Sequence, residues 1–183
     1  MQQALVLIDI QNDYFDGGAM QLVGMQAAAE NAQRLLQHFR QTDQPMIHIQ
    51  HLSVRPGAGF FVPETKGVEH HSSVAPLEGE AVVQKNFPNS FRDTNLMECL
   101  KAVQAEELII CGAMSHMCVD ATTRAGFDFG FSCQVIEDAC ATRDLEFKGA
   151  TVEAAKVHAS FMAALAVPYA KVLSTDEFSE SAA

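Results

Sequence analysis

Ala4-Leu5-Val6-Leu7-Ile8-Asp9 is the stretch of sequence that decides the fold. An unbroken apolar run that ends in a carboxylate is typical of a strand buried on both faces of a parallel sheet. Similar runs, rich in Val, Ile and Leu, recur at about 46–50, 81–84, 107–111, 132–136 and 171–173. Helix-patterned segments separate most of these runs. The alternation predicts βαβ units and an α/β fold built on a mostly parallel sheet.

Apolar residues at helical spacing identify the segments between the strands. The first stripe consists of Ala28, Ala32, Leu35 and Phe39, and the second of Leu96, Leu100 and Val103. Such stripes cover one face of a helix. The second helix would take Thr94 or Asp93 as its N-cap. A further helix is predicted from near His116 to about Phe129, with Cys118 in its first turn.

Length and composition indicate one globular domain over residues 1–183. At 183 residues and 48% hydrophobic, the chain can bury one substantial core. The residues from about 174 to 183 are polar and acidic, and we expect them to fray. The longest irregular stretch, residues 52–80, is rich in Gly and Pro. It reads either as a variable surface loop or as a lid over a site.

The charge balance excludes several classes of partner. With 12 basic and 23 acidic residues the formal net charge is −11, which disfavours nucleic acid and anionic membranes, although a local basic pocket for a small anion stays open. The apolar runs are far shorter than the roughly 20 residues that span a bilayer. The start of the chain does not resemble an export signal, so a cytoplasmic location is expected. Five cysteines without paired spacing fit buried thiols in a reducing compartment.

Three polar residues follow the ends of predicted strands. Asp9 ends the first run, Lys85 ends the run 81–84, and Cys118 lies just beyond the run 107–111. Because ligands bind at the carboxyl ends of parallel strands, these side chains are expected to meet at one edge of the sheet. Taken singly, they also fit a turn residue, a solvated strand end and an inert buried thiol.

Together, the three groups suggest nucleophilic catalysis. A thiol of pKa about 8.5 holds little thiolate at neutral pH. A helix N-terminus and the Lys85 ammonium would both favour the thiolate of Cys118. Asp9 could then accept the proton during attack and return it to the leaving group. Backbone N–H groups of the turn 112–118 could stabilise the oxyanion that forms.

Three motifs, in order, resemble the isochorismatase-like cysteine hydrolases over nearly the whole chain. They are Leu7-Ile8-Asp9-Ile10-Gln11-Asn12-Asp13-Tyr14-Phe15, then Lys85 with Ser90-Phe91 and Thr94, and then Gly112-Ala113 through Cys118-Val119 with Thr122, Arg124 and Ala125. Val135, Asp138 and Ala139 resemble the segment that follows. The resemblance implies a three-layer α/β/α fold with a six-stranded parallel sheet. It also implies a catalytic triad of Asp9, Lys85 and Cys118.

The resemblance further implies details of the reaction. Cys118 would attack an amide or carbamoyl carbon, an amine or ammonia would leave, and water would resolve the thioester. A cis peptide bond between Ala113 and Met114 is implied, with the Met114 and Cys118 N–H groups directed at the oxyanion. The candidate residues of the substrate pocket are Gln11, Phe15, Phe60, Phe91 and His116. For Gln11 a role in packing the first loop, and for the three phenylalanines a place in the core, are equally open.

No metal or cofactor is predicted. Nicotinamidases of this superfamily bind a divalent ion through an Asp-x-His pair and a later His, and this sequence lacks the pair. His48 and His51 are three apart on a predicted strand and should point to opposite faces. His70 and His71 lie in a loop, where solvated side chains are usual. Family members are commonly dimers or tetramers, so we expect a homo-oligomer that acts on a small molecule.

Two other functions compete with amide cleavage. A vinyl-ether hydrolase like isochorismatase itself would protonate its substrate with an aspartate, and the cysteine at position 118 counts against it. A catalytically silent binding or assembly domain could also use this fold, because a fold does not prove activity. A nucleotide-binding flavodoxin-like protein is a weaker alternative, because no Gly-rich phosphate loop follows the first strand.

Overall fold

Six parallel strands form the central sheet of the computed structural model, which describes residues 1–182. The strands of the chain are β1 (Gln3–Ile8), β2 (Met46–His51), β3 (Ala81–Lys85), β4 (Glu107–Ala113), β5 (Ser132–Ala141), β6 (Leu145–Phe147), β7 (Ala150–Val152) and β8 (Lys171–Leu173). The sheet has the order β3-β2-β1-β4-β5-β8, with every neighbouring pair parallel. The predicted α/β fold is therefore confirmed. The order in which successive strands are added to the sheet reverses between β1 and β4, so the carboxyl ends of these two strands are the expected ligand site.

Two layers of helices cover the sheet. The helices are α1 (Met25–Gln41), α2 (Leu96–Ala102), α3 (Asp120–Asp128), α4 (Ala154–Leu165) and α5 (Thr175–Ala182). Buried residues of α1 and α5 share one core cluster, and those of α2 and α4, with Val119 just before α3, share the other. The result is the three-layer α/β/α arrangement. Among residues 1–182, no helix has the length and apolar character needed to cross a membrane.

The side chains of β1 pack alternately into the two core clusters. Leu5 and Leu7 pack in the cluster of α1, whereas Val6 and Ile8 pack in the cluster of α2 and α4. Successive side chains of a strand point to opposite faces, so a strand covered on both faces has to be apolar throughout. Each side chain of this size contributes about 2 kcal/mol when fully buried. The uniform run that identified β1 is thus a consequence of its central place.

Gly112 lets β4 approach β1 at the switch point. Its φ is +118°, and a side chain there would collide with the backbone of Ile8. Only glycine tolerates this combination of dihedral angle and close approach. The chain then makes a single π-helical turn, Ser115–Val119, before α3 begins at Asp120. The helix predicted from near His116 is therefore two elements, and Cys118 belongs to the turn.

Residues 52–80 are tied to the loop after β1. Asp13 is buried, and its carboxylate accepts hydrogen bonds from the Phe61 N–H at 2.6 Å and the Ala19 N–H at 3.2 Å. Two short 3-10 helices, Lys66–Val68 and Ser72–Val74, interrupt the stretch. It is consequently anchored to the body of the protein at several points, although most of it lies at the surface.

The expectation of a frayed C-terminal tail is wrong for residues 175–182, which form α5. Ser174 and Glu177 cap the helix reciprocally, since each side chain accepts a hydrogen bond from the backbone N–H of the other. Phe178 is buried and stacks on Phe39 of α1, with ring centroids 6.2 Å apart. One apolar anchor and a capping box outweigh the polar composition. Ala183 lies outside the described residues.

Candidate active site

Asp9, Lys85 and Cys118 meet at the carboxyl end of the sheet. The Lys85 Nζ lies 2.7 Å from Asp9 Oδ2 and 3.3 Å from Cys118 Sγ. All three side chains are buried, with residue exposures of 0%, 1% and 5%. The structure therefore brings together the three side chains that strand-end placement and family resemblance selected. Such close contact inside the protein rules out the reading of Lys85 as a solvated strand end.

The backbone of Asp9 departs from the strand that carries it. Its φ is +51°, and its N–H donates to the Ile49 carbonyl of the neighbouring strand. Aspartate is one of the few residues that adopt this left-handed conformation readily. Asp9 Oδ2 accepts the Lys85 ammonium, whereas the buried Oδ1 has no hydrogen-bond partner among the described residues. One carboxylate oxygen is thus available to take a proton.

His51 is a fourth member of the cluster that the sequence analysis did not select. It pairs with Lys85 in the β2–β3 register, and its Nδ1 lies 3.0 Å from Lys85 Nζ. Its place at the carboxyl end of β2 is the same signal that singled out Asp9, and that signal could have found it. Because an ammonium only donates, Nδ1 must be the unprotonated nitrogen of a neutral ring.

Protonation in the cluster follows from burial and from the ammonium. Burial first, and Lys85 next, lowers the pKa of His51 to about 4. Burial opposes the charge of Lys85, but Asp9 and Cys118 outweigh it and raise the pKa of that lysine above its usual value. Lys85 is consequently a permanent cation.

The thiol of Cys118 is protonated in the resting protein. Burial, followed by the charge of Asp9, raises the pKa of Cys118 well above its usual value, and the opposing effect of Lys85 is smaller. Lys85 favours the thiolate, as expected, but desolvation and the Asp9 carboxylate, which that expectation left out, act on the same sulfur and outweigh it. Loss of the proton has to accompany bond formation.

The same side chains do not fit a metal ion. One carboxylate oxygen of Asp9, one ring nitrogen of His51 and the sulfur of Cys118 lie within 4.8 Å of one another, as metal ligands would. However, all three residues already contact Lys85 Nζ, which occupies the place of a cation. A metal would have to displace a buried ammonium.

A cavity of about 450 Å³ leads from the surface to Cys118. Its lining comes from the loop after β1, the stretch 52–80, the loop after β3, the Cys118 turn and the loop after β5. The lining residues are Tyr14, Met20, His51, Ser53, Val54, Arg55, Pro56, Gly57, Ala58, Gly59, Phe60, Asn86, Pro88, Met114, Met117, Cys118 and Arg143. The volume suits a small organic molecule. Asp9 and Lys85 lie behind the sulfur and not on the cavity wall.

Of the five predicted pocket residues, Phe60 lines the cavity and the others in the described chain do not. Phe15 stacks on His71 at 3.7 Å between ring centroids. Phe91 packs against Phe129 in the core cluster on the α2 side of the sheet. His116 is held by a 2.6 Å hydrogen bond to Thr142. These side chains do not line the cavity because a position near the active site in the sequence does not determine the direction in which a side chain points.

Gln11 supports the site through hydrogen bonds from its side chain to the backbone. Its amide nitrogen donates to the carbonyls of His51 and Val68, and its oxygen accepts the His51 N–H at 2.8 Å. The side chain is fully buried. It thus fixes the end of β2, where His51 meets Lys85, and ties this end to the stretch 52–80.

Tyr14 is a further wall residue that sequence reasoning missed. It is 2% exposed, and within residues 1–182 its hydroxyl makes no hydrogen bond. Burial raises the pKa of Tyr14 well above its usual value, and the charge of Asp9 adds to the effect. The phenol is therefore a neutral donor, free to bind a substrate at the cavity wall.

Ser115 anchors the turn that carries Cys118. Its buried hydroxyl lies 2.8 Å from His158 Nδ1 of α4 and donates to the Ala141 carbonyl at 3.3 Å. The Ala113–Met114 peptide bond, which lies just before this turn, is cis, as the resemblance implied. The turn is thus fixed to both α4 and β5, which restricts the position of the sulfur.

His48 belongs to a separate network on the same strand as His51. Its Nε2 lies 2.9 Å from Glu80 Oε2, and Arg40 binds Glu80 through two hydrogen bonds. The two histidines therefore have different partners, in agreement with their predicted opposite directions. Burial first, and the His70 ring next, lowers the pKa of His48 to about 4, although Glu80 opposes this.

We expect this histidine to make stability depend on pH. The unfolded chain takes up a proton at His48 near pH 6.5, and the folded chain only near pH 4, so acidification between these values favours unfolding. The loss should be about 3 kcal/mol. Urea unfolding at several pH values, compared with His48→Gln, measures it. A variant that retained the full wild-type pH dependence would contradict this assignment.

Comparison with known proteins agrees with the fold and the motifs. A family model described as the isochorismatase domain matches residues 3–170. The chain is 51% identical to the isochorismatase family protein YddQ of Bacillus subtilis, over 97% of this chain and 99% of that protein. The crystal structure of an isochorismatase hydrolase from Oleispira antarctica superposes with a TM-score of 0.94 at 52% identity, covering 97% of this chain and 95% of that one.

Two further relatives carry names that describe an activity or a role. The secreted isochorismatase effector Isc1 of Verticillium dahliae is 38% identical over 77% of this chain and 73% of its own length. A streptothricin hydrolase of Streptomyces noursei is 35% identical over 78% of this chain and 51% of its own length. This chain therefore spans about half of the latter enzyme.

Proposed function

Because the chain belongs to the isochorismatase family of hydrolases, we propose that it cleaves a C–N bond of a small amide or carbamoyl compound through a thioester at Cys118. The observation that carries the proposal is the position of the sulfur. Cys118 Sγ ends the cavity in front, and Asp9 and Lys85 contact or adjoin it from behind. A nucleophile is thus exposed to substrate, while its proton acceptor is protected from water.

Attack and proton transfer occur together in the first step. The Cys118 S–H proton moves to the Asp9 carboxylate as the sulfur forms a bond to the carbonyl carbon, and the carbonyl π electrons move to the oxygen. The Met114 and Cys118 N–H groups stabilise that oxyanion. Lys85 stays protonated and holds Asp9 in place.

Collapse of the tetrahedral intermediate releases the amine. The C=O bond re-forms, the C–N bond breaks, and Asp9 returns its proton to the leaving nitrogen. Water then attacks the thioester and gives a proton to Asp9. The C–S bond breaks, the sulfur recovers the proton, and an acid is released. The single carboxylate therefore serves as base and acid in both halves of the reaction.

The name of one relative supports a hydrolytic reaction. Streptothricin hydrolase is a hydrolase by its name, and this chain covers about half of its length, so the support extends to hydrolysis and not to a substrate. The buried thiol provides the chemical reason to prefer a covalent route over vinyl-ether cleavage, which needs only an acid.

The test is ammonia release from a panel of small amides and carbamoyl compounds. With an active substrate, Cys118→Ala should lower kcat/KM by more than about a hundredfold, because no nucleophile remains. Hydroxylamine added during turnover should divert the wild-type intermediate to a hydroxamate. The first readout tests the need for the thiol, and the second traps the acyl intermediate.

Cys99→Ala is the matched control, since Cys99 is a half-buried thiol that does not line the cavity, and it should keep wild-type activity. Full activity in Cys118→Ala would contradict the proposal. If that variant still cleaved a vinyl ether such as isochorismate, the protein would be a vinyl-ether hydrolase. A wild-type protein inactive on both substrate classes would indicate a silent domain.

Location and assembly remain part of the proposal. We propose a cytoplasmic homo-oligomer, a dimer or a tetramer, that acts on a small molecule without a cofactor. The relative Isc1 is named as a secreted effector, so location varies among relatives. Sedimentation of the purified protein would give the number of subunits.

A further inference from the structure

Two of the six arginines differ from the rest. Four pair with carboxylates, in the pairs Arg34–Asp176, Arg40–Glu80, Arg92–Asp93 and Arg124–Asp120. Within the described chain, Arg55 and Arg143 have no such partner, and both line the cavity that leads to Cys118. In a protein with 23 acidic residues and a net charge of −11, two arginines without a carboxylate at one site need an explanation.

The cavity wall as a whole is positively charged. Its lining contains both arginines and no aspartate or glutamate among the described residues. The nearest buried carboxylate, Asp9, is already neutralised by Lys85. The positive charges also reach the inner wall. Arg55 adds to the effects of burial and of Lys85 that lower the pKa of His51, and Arg143 opposes the rise in the pKa of Tyr14 that burial causes.

The two side chains approach the cavity from different elements. Arg55 belongs to the stretch 52–80 after β2, and Arg143 follows β5. Both residues are exposed, so they stand at the mouth, whereas the sulfur lies at the inner end. A molecule bound in this cavity at Cys118 therefore shares its walls with both guanidinium groups. The uncommitted Tyr14 hydroxyl adds a neutral donor deeper in the wall.

We propose that the substrate is a small organic anion whose carboxylate is bound by Arg55 and Arg143 while its scissile carbonyl lies at Cys118. Guanidinium groups match the planar carboxylate and can bind it through paired hydrogen bonds. The inference rests on the proposed function for the position of the carbonyl. It adds the substrate class, and it explains how a strongly acidic protein admits an anion.

The test compares two alkylating agents that differ in charge. Iodoacetate and iodoacetamide have nearly the same size, and both react with Cys118, as followed by mass spectrometry of its peptide. Relative to glutathione, Cys118 should prefer iodoacetate by about tenfold at low salt. This corresponds to about threefold for each arginine, from unit charges roughly 6 Å apart in a water-like medium. The preference should fall as salt is added.

Variants assign the preference to the two arginines. Arg55→Gln and Arg143→Gln should each lower it by about threefold, and the corresponding lysine variants should retain most of it. Arg34→Gln makes the same change in net charge at an exposed position of α1 that does not line the cavity, and it should have no effect. An equal preference in the wild type and the double Arg→Gln variant, or an equal effect of Arg34→Gln, would overturn the proposal. Alkylation needs no turnover, so its outcome is independent of the ammonia-release test.

Discussion

Asp9→Asn should lower kcat/KM by about a thousandfold while leaving the backbone of the active site unchanged. Asparagine has nearly the same shape and also tolerates the φ of +51° at this position. What it lacks is a basic oxygen that can take the Cys118 proton. General acid–base groups contribute about 10²- to 10⁴-fold, and Asp9 serves in both steps of the proposed reaction. Steady-state kinetics on the substrate found by ammonia release measures the loss.

The control for this variant is Asp43→Asn. Asp43 has a φ of +52°, is exposed and lies away from the cavity, so the same substitution tests the backbone effect without the chemistry. It should keep wild-type activity and stability. If Asp9→Asn retained more than about a tenth of the activity, Asp9 would not be the proton acceptor, and another base would have to be sought.

Sequence reasoning succeeded where burial leaves few choices. Central strands of a parallel sheet must be apolar on both faces, so β1 and β4 could be read directly from their composition. The carboxyl ends of parallel strands all lie at the same edge of the sheet, which is why Asp9 and Lys85 were expected to meet. Neither inference needs the direction of any side chain beyond the alternation of a strand.

Sequence reasoning failed where the outcome depends on the direction of a side chain or on the balance of several small effects. Phe91 and His116 lie close to the motif residues, but their rings turn to other partners. The tail looked too polar to fold, yet its Ser174 and Glu177 spacing is a capping-box signature that could have predicted α5. The protonation of Cys118 depends on burial and Asp9, which raise the pKa of the thiol, and on Lys85, which lowers it, and their balance follows only from the folded geometry.

Lys85→Met should lower stability by about 3 kcal/mol and activity by at least about a hundredfold. Methionine can fill the space of the lysine stem, but it leaves Asp9 buried without its counter-charge, and removal of one partner of a buried pair costs about 3–5 kcal/mol. Without the ammonium, the negative charge that passes between Asp9 and Cys118 during the reaction is no longer stabilised. Urea unfolding and steady-state kinetics give the two quantities. Lys101→Met, at an exposed position on α2, is the control and should change neither.

The double variant Asp9→Asn/Lys85→Met separates structure from catalysis. A neutral amide beside methionine has no uncompensated charge, so the double variant should be more stable than Lys85→Met by about 2 kcal/mol, a coupling that double-mutant cycles detect. Its activity should stay at the level of Asp9→Asn or below, because the proton acceptor is still missing. Recovery of stability with recovery of activity would mean that the pair only holds the fold together. Recovery of stability alone would mean that the buried pair serves the reaction, and that neutral side chains could replace it in the fold.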